Sequence, residues 1–487
     1  MTQSRMSNPA SDPANARLAW REQVRQEPPK RPVSERVHDF FEIHGIFDEK
    51  TAREQASRCI QCPNPSCVSG CPLCNPIPQW MLLTAEGRFL EAAAVMGSAT
   101  SMAEVCSRVC AADHHCEHTC ILDSISEPVA IAGIERFLAD YSLRHGLVGT
   151  ATAPPNGYKV AVVGAGAGGL TCAELLARRG CAVTIFDESL IPGGLLVNGL
   201  PAFNIANSVV ERRVELIRKL GVRFQLGVEL GRGLKLEDLR AGHDAIFLGM
   251  DSRTSRTLEV PGAGLSGVVQ ALPFLLQKRT SVALDIPAPD VAGKRVMVLG
   301  AGESAVDCLR VAIRWGAREA VGVYRRGEPD MPCGKANYQS AIEEGARFVF
   351  NAMPKAILDD GAGGVRGLRA VRTAPEGQDV RGRSGFVEVP GQEFDLEADL
   401  IVLALGFDPK PCLHSGDFSD LRVNAWGGLI VDENHMTSIH GVFAGGDVVR
   451  GPSVVLETVR DGRNAAEGIL RYLAVRDGNT RMGAIPA

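Results

Sequence analysis

The sequence predicts an α/β chain: a small helical domain first, then two doubly wound parallel-sheet domains, the second inserted into the first. Three observations predict it. Nine of the 14 cysteines crowd between residues 59 and 120. Beyond residue 158, a strand, a glycine turn, a helix and a second strand read off twice. A short apolar strand follows each of these units, and another lies near the C-terminus.

The totals narrow the classes. A chain of 487 residues admits about three domains, and 45% hydrophobic residues sustain ordinary cores. A net charge of −5 offers no basic excess for nucleic acid. No apolar run reaches the roughly 18 residues of a membrane span. The opening MTQSRMSNPASDPANAR is polar and has no apolar signal core, so the expected compartment is the cytoplasm. Disulfides are disfavoured there, and clustered thiols read as metal ligands or redox groups.

Residues 1–36, rich in Pro, Arg, Glu and Ser, are expected as a loose N-terminal arm, with partial ordering by contact with the core as the alternative. The helical domain is expected over 37–146. Within it, Thr51 and Glu54 have capping-box spacing, which predicts a short helix leading to Cys59. The run Cys59, Cys62, Cys67, Cys71 is closed by Pro72, and Cys106, Cys110, Cys116 and Cys120 follow. IAGIERFLADYSLRHG (131–146) has the pattern of an amphipathic helix. Small residues, Gly and Pro then mark a linker at 147–158.

KVAVVGAGAGGLTCAELLARRGCAVTIFDE (159–188) is a Rossmann-like unit. Gly164 permits the tight turn, Gly166 lets a pyrophosphate approach the backbone, and Gly169 lets the helix close on the strand. The anion then meets the free N–H groups of a helix N-terminus. Asp187, ending the second strand, is placed to accept hydrogen bonds from a ribose. KRVMVLGAGESAVDCLRVAIRWGAREAVGVYRR (294–326) repeats the plan with Gly300, Gly302 and Ala305. Here the second strand ends in Arg325 and Arg326, not an acid. A guanidinium fork binds the 2′-phosphate that a carboxylate would repel, so the unit favours NADPH over NADH; the competing reading is a solvated surface pair. Strands are expected at 245–249, 399–406 and 441–447, and a helix near 453–472. The first nucleotide domain thus occupies 159–253 and 407–487, and the second 254–406.

Zinc sites typically pair two C-x2-C knuckles, and the second cysteine group has none. Iron–sulfur clusters take thiolates in runs, and the last cysteine of a run can cross to a second cluster. The spacing therefore favours iron–sulfur over zinc or disulfides. His114, His115 and His118 read as surface residues among these ligands.

These stretches, with GGLLVNGLPAFNI, VYRRGEPDMP and GVFAGGDVVRGPSVVLETVRDGRNAAEG, resemble the small (β) subunit of bacterial NADPH-dependent glutamate synthase. The scaffold is also similar to the amino-terminal part of dihydropyrimidine dehydrogenase and to the large subunit of electron-bifurcating ferredoxin:NADP oxidoreductases. The resemblance implies two interleaved [4Fe–4S] clusters. Cys59, Cys62, Cys67 and Cys120 would hold one; Cys71, Cys110, Cys116 and Glu135 would hold the other. By its pattern alone Glu135 is a solvated helix residue. Cys74 and Cys106 have no cluster role and are expected as small buried side chains. The resemblance further implies FAD in the first unit. Pro192, Gly193, Gly194 and Leu195 would lie along the flavin, Gly446 and Asp447 at its ribityl and pyrophosphate portion, and a helix would start near Ser453. Departures are Ala167 in the glycine turn, FLGMDSRTSR (247–256) and GKANYQ (334–339).

The implied activity is NADPH oxidation with hydride transfer to FAD, then single-electron delivery through the clusters. Placement carries such a step, so no catalytic side chain is nominated. With no amidotransferase domain or FMN barrel in the sequence, the expected partner is a separate large subunit that makes glutamate from glutamine and 2-oxoglutarate. The alternative is an NAD(P)H:acceptor module serving ferredoxin or another electron-accepting protein. A non-catalytic zinc scaffold is disfavoured by the two glycine turns and the arginine pair.

Overall fold

The structure, a computed structural model, describes residues 18–146, 152–276, 290–378, 384–408, 416–476 and 478. Residues 1–17 of the expected arm and 147–151 of the expected linker lie outside the described residues. Among the described residues no helix is long and apolar enough to cross a membrane.

The front of the chain is helical. Helices α1 (Glu49–Ser57), α2 (Ile77–Ala85), α3 (Phe89–Gly97), α4 (Ala103–Val109) and α5 (Ile131–Arg144) pack on one another. Their shared core includes Trp80, Met81, Met96 and Phe137, all at most 2% exposed. The expected capping box does not form. Asp48 is the N-cap and its carboxylate accepts the Thr51 N–H at 2.7 Å. Once an N-cap acid stands three residues ahead of Thr51, the chain turns helical at Glu49 and Thr51 falls inside the first turn.

The described part of the arm is not loose. Arg25 bonds Glu117 at 2.7 Å, and Arg58 donates to the Gln23 carbonyl at 3.0 Å. Arg36 is 2% exposed and donates to Glu344 at 2.9 Å. Its polar composition hid this because the partners are distant in sequence.

The first sheet is built from β1 (Lys159–Val163), β2 (Ala182–Asp187), β3 (Arg223–Leu226) and β4 (Ala245–Leu248), with α6 (Ala167–Arg178) and α7 (Asn207–Lys219) as crossovers. The second comprises β5 (Val268–Gln270), β6 (Arg295–Leu299), β7 (Glu319–Val323) and β8 (Arg347–Val349), with α8 (Glu303–Arg314) and α9 (Lys335–Glu343). After it come β9 (Ala352–Asp359), β10 (Val365–Gln378), β11 (Ser384–Glu397), β12 (Leu400–Leu403), β13 (Val442–Ala444) and α10 (Val455–Arg476). Both five-stranded sheets are wholly parallel, in the orders β13-β4-β1-β2-β3 and β8-β7-β6-β12-β5. β13 pairs with β4 only after the second sheet is complete, so the second domain is inserted in the first. Strand order reverses at β1 and at β6, and ligand crevices of doubly wound sheets open at that point.

The antiparallel sheet β9-β10-β11 was not foreseen. It places Ile357, Leu368 and Ala370 against Met297, Leu299 and Ile401 on one face of the second sheet.

A buried polar node joins the parts. Glu344, after α9, accepts from Arg310 at 2.9 Å, Arg314 at 2.6 Å and Arg36 at 2.9 Å. The guanidinium carbons of Arg310 and Arg314 lie 4.2 and 4.1 Å from the ring centroid of Phe203, which comes from the first nucleotide domain. Burial alone would raise the Glu344 carboxyl, but hydrogen bonds from Arg314 and Arg310 outweigh it and hold it at about 2.

Candidate functional site

β1 enters α6 through the first glycine turn. Gly164 has φ +106°, and a Cβ there would lie 2.4 Å from the Gly249 carbonyl oxygen. A Cβ on Gly169 would lie 1.9 Å from the Gly164 oxygen. Gly193 donates its N–H to Ala165 at 2.9 Å, which straps the Pro192–Leu195 turn onto this one. A Cβ on Gly194 would lie 2.6 Å from the Gly166 Cα, so the two turns make a trough walled by bare backbone. Gly164→Val is expected to cost about 3 kcal/mol in a denaturant titration, since strain and clash add there.

Asp187 is buried. Its carboxylate accepts the Ala165 N–H at 2.6 Å and the Ser189 N–H at 2.7 Å. Burial pushes its pKa up against those bonds. Each oxygen keeps a lone pair for a ribose hydroxyl. Gly164, Gly166 and Asp187 line one cavity with Glu188, Asp251 and Arg253. The last two lie in the stretch 247–256, which the sequence reading noted without giving it a role.

The second turn repeats the geometry. Gly300 has φ +134°, and a Cβ there would lie 2.3 Å from the Ala404 oxygen. Gly302 is open, with Pro332 nearest at 3.9 Å, and Ala305 is buried. Arg325 is exposed and Arg326 buried. Their guanidinium carbons lie 4.9 and 5.7 Å from the Phe386 ring centroid on β11, so the unforeseen hairpin packs against the arginine pair.

At the end of β13, Gly446 has φ +76° and donates to Asp461 at 2.9 Å. Asp461, fully buried on α10, also accepts from Arg450 at 2.8 Å. Sequence reasoning missed it; an acid on the apolar stripe of a helix was the available signal. Asp447 has its pKa pushed up to about 7, by burial first and then by the Asp251 charge. α10 begins at Val455, two residues beyond the expected start. A Cβ on its Gly462 would lie 2.3 Å from the Gly168 oxygen, so α6 and α10 meet glycine to glycine.

The cysteines separate into two groups. Cys59, Cys62, Cys67 and Cys120 line one largely apolar cavity with Ile77, Met81 and Val129. Cys71, Cys110 and Cys116 form the second group, and the charge of Glu135 acts on each of them. Burial raises these three thiols, and burial followed by Glu117 pushes Glu135 up to about 8. Glu135 is half-buried, not the solvated residue its helix pattern predicts. Cys106 is buried within this group, as expected. Cys74 is instead exposed, at a left-handed turn with φ +51°. His114 and His118 are exposed and His115 half-buried.

The Cys59 group, whose four thiols line one cavity, fits an iron–sulfur cluster. Buried thiols ionise only against strong positive charge, which iron supplies. Among the described residues no three His, Cys, Asp or Glu side chains converge on a single ion; the four thiols ring a void instead.

One cleft of about 350 Å³ joins these features. The cysteine domain contributes Arg108 and Cys110, the first nucleotide domain Leu195, Asp447 and Ser453, and the second Glu303, Ser304 and Asp307. Two dinucleotide turns facing one cleft, with a thiol on its wall, define a pyridine-nucleotide oxidoreductase equipped with an iron–sulfur domain.

Comparison with known proteins agrees. Residues 158–462 match the family described as "Pyridine nucleotide-disulphide oxidoreductase", and residues 36–147 match "Dihydroprymidine dehydrogenase domain II, 4Fe-4S cluster". The "Glutamate synthase [NADPH] small chain" of Azospirillum brasilense is 40% identical over 94% of this chain and 97% of its own. That of Escherichia coli (strain K12) is 38% identical over 93% and 98%. In fold the chain resembles Mycobacterium tuberculosis FprA in complex with NADPH, with a TM-score of 0.53 and 20% identity over 69% of this chain and 88% of that one. The chain belongs to the glutamate synthase [NADPH] small-chain family. Its role is that of the small, electron-supplying, NADPH-dependent oxidoreductase chain.

Proposed function

We propose that this cytoplasmic chain oxidises NADPH at the three-way cleft and passes electrons through FAD and two [4Fe–4S] clusters to a separate glutamate synthase large subunit. That partner makes glutamate from glutamine and 2-oxoglutarate. The observation that supports the reading is the cleft itself: Ala167 of the first dinucleotide turn, Glu303 and Ser304 of the second, and the thiol-bearing Cys110 all line it.

The residues divide the work. Gly164, Gly166 and Gly169 clear the path of the FAD pyrophosphate, Asp187 receives the adenosine ribose, and Gly193, Gly194, Leu195, Gly446 and Asp447 hold the flavin side. Gly300, Gly302 and Ala305 cradle the NADPH pyrophosphate, and Arg325 and Arg326 select its 2′-phosphate. Cys59, Cys62, Cys67 and Cys120 hold one cluster. Cys71, Cys110, Cys116 and Glu135 hold the other, which borders the cleft. Bound FAD supplies the change from two-electron to one-electron chemistry. Leu195 and Leu196, from the same turn, give that wall of the cleft its apolar lining.

Replacing Arg325 and Arg326 by Ala is expected to raise KM for NADPH roughly tenfold per lost phosphate contact and to leave KM for NADH unchanged. Steady-state reduction of an artificial acceptor with each nucleotide measures it. An equal rise for both nucleotides counts against the assignment. Copurification with ferredoxin in place of a large subunit would move the chain to the alternative partner.

A further inference from the structure

The stretch that follows β4 stands over the first glycine turn. Asp251 is the nearest side chain to the bare face of that turn. A Cβ on Gly166 would lie 3.3 Å from its Oδ1, and one on Gly194 3.2 Å from its Oδ2. A carboxylate there faces the path of a pyrophosphate and repels it. The same charge helps to raise Asp447 across the cleft. Arg253 answers it. Its Nη2 donates to Asp251 at 2.9 Å and its Nη1 to Glu188 at 3.1 Å. The side chain is 22% exposed and lines the cavity with Gly164, Gly166 and Asp187.

We infer that Arg253 is the cation that binds the pyrophosphate of FAD, held over the glycine turn by Asp251 and Glu188. The inference rests on the reading of the first unit as the FAD site and assigns the phosphate contact within it. The two carboxylates sit on either side of the guanidinium: Glu188 follows Asp187, at the ribose end, and Asp251 lies at the Gly166 end. A fork so braced keeps its charge on the cavity wall, and Arg suits a phosphate better than Lys because its donors are planar and paired. The glycine turn and the α6 N-terminus supply backbone donors but no full charge. Among the residues lining that cavity Arg253 is the only Lys or Arg.

The test uses the full chain, purified without oxygen, in R253M, R253K and D251N forms. FAD per chain is read by absorbance, and FAD release on dilution by the rise of free-flavin fluorescence. Iron content and far-UV circular dichroism are read in parallel. The expected result is that R253M releases FAD roughly tenfold faster or more, the usual weight of a charge-assisted bond. R253K falls between R253M and the natural chain. D251N loosens FAD less than R253M, because Glu188 still holds the fork and a repelling charge is gone. Iron and circular dichroism stay unchanged throughout. Release from R253M at the natural rate overturns the inference. So does equal loosening by R253M and D251N, which would make the pair a structural brace. A natural chain that carries no FAD overturns instead the reading on which the inference rests.

Discussion

Cys120→Ala is expected to halve the iron content and to abolish electron delivery to the partner, while NADPH still bleaches the flavin. Cys120 comes from the second cysteine run, yet it lines the same cavity as Cys59, Cys62 and Cys67. Its removal leaves three thiols where a cubane needs four, whereas the group around Glu135 stands apart and is untouched. The flavin cleft is bordered by Cys110, not by Cys120. The half-reaction with NADPH therefore survives, and the block falls after it. Iron and sulfide analysis, anaerobic titration with NADPH and turnover with the large subunit separate the three quantities. Full iron in the variant, or flavin that NADPH no longer reduces, would refute the separation of the two groups.

Glu344→Gln is expected to cost about 3–5 kcal/mol of stability, because it leaves Arg36, Arg310 and Arg314 buried around a neutral amide. The natural chain carries a matching acid sensitivity. Glu344 is held at about 2 in the folded chain, below the ordinary value near 4.3 for an unfolded glutamate. A depressed folded pKa means a contribution fully present above the ordinary value and lost as pH falls from there toward 2. Urea titrations from pH 7 down to pH 3 should show the natural chain losing stability at the acid end more steeply than the variant. Parallel curves would exclude Glu344 as the source.

The parts of the fold that were legible in the sequence are those set by local rules. β1 and β6 are apolar runs that end in glycine, each leading into a helix, and a positive φ at Gly164 and Gly300 leaves little choice of residue. The insertion could be read because a further strand-like segment and a helix follow the second unit in the sequence. The family resemblance followed from the same motifs. The long hairpin of β10 and β11 was not legible: its strands pair antiparallel with polar outer faces, and no short turn announces it. The contacts of the arm from residue 18 were not legible, because a segment rich in arginine and proline does not name its carboxylate partners.

The site divides in the same way. The sequence by itself determined the class of cofactor chemistry, iron–sulfur and dinucleotide, because thiol spacing and glycine turns are covalent facts that these classes require. Only the tertiary structure decided which groups meet. It put Cys120 beside Cys59 across sixty residues of chain, Phe386 over Arg325 and Arg326, and Asp461 under the Gly446 turn. It also set Arg253 between two acids above the first turn. The physical reason is range: backbone geometry and ligand identity are fixed within a few residues, whereas burial and electrostatics are sums over neighbours that the chain brings together only by folding.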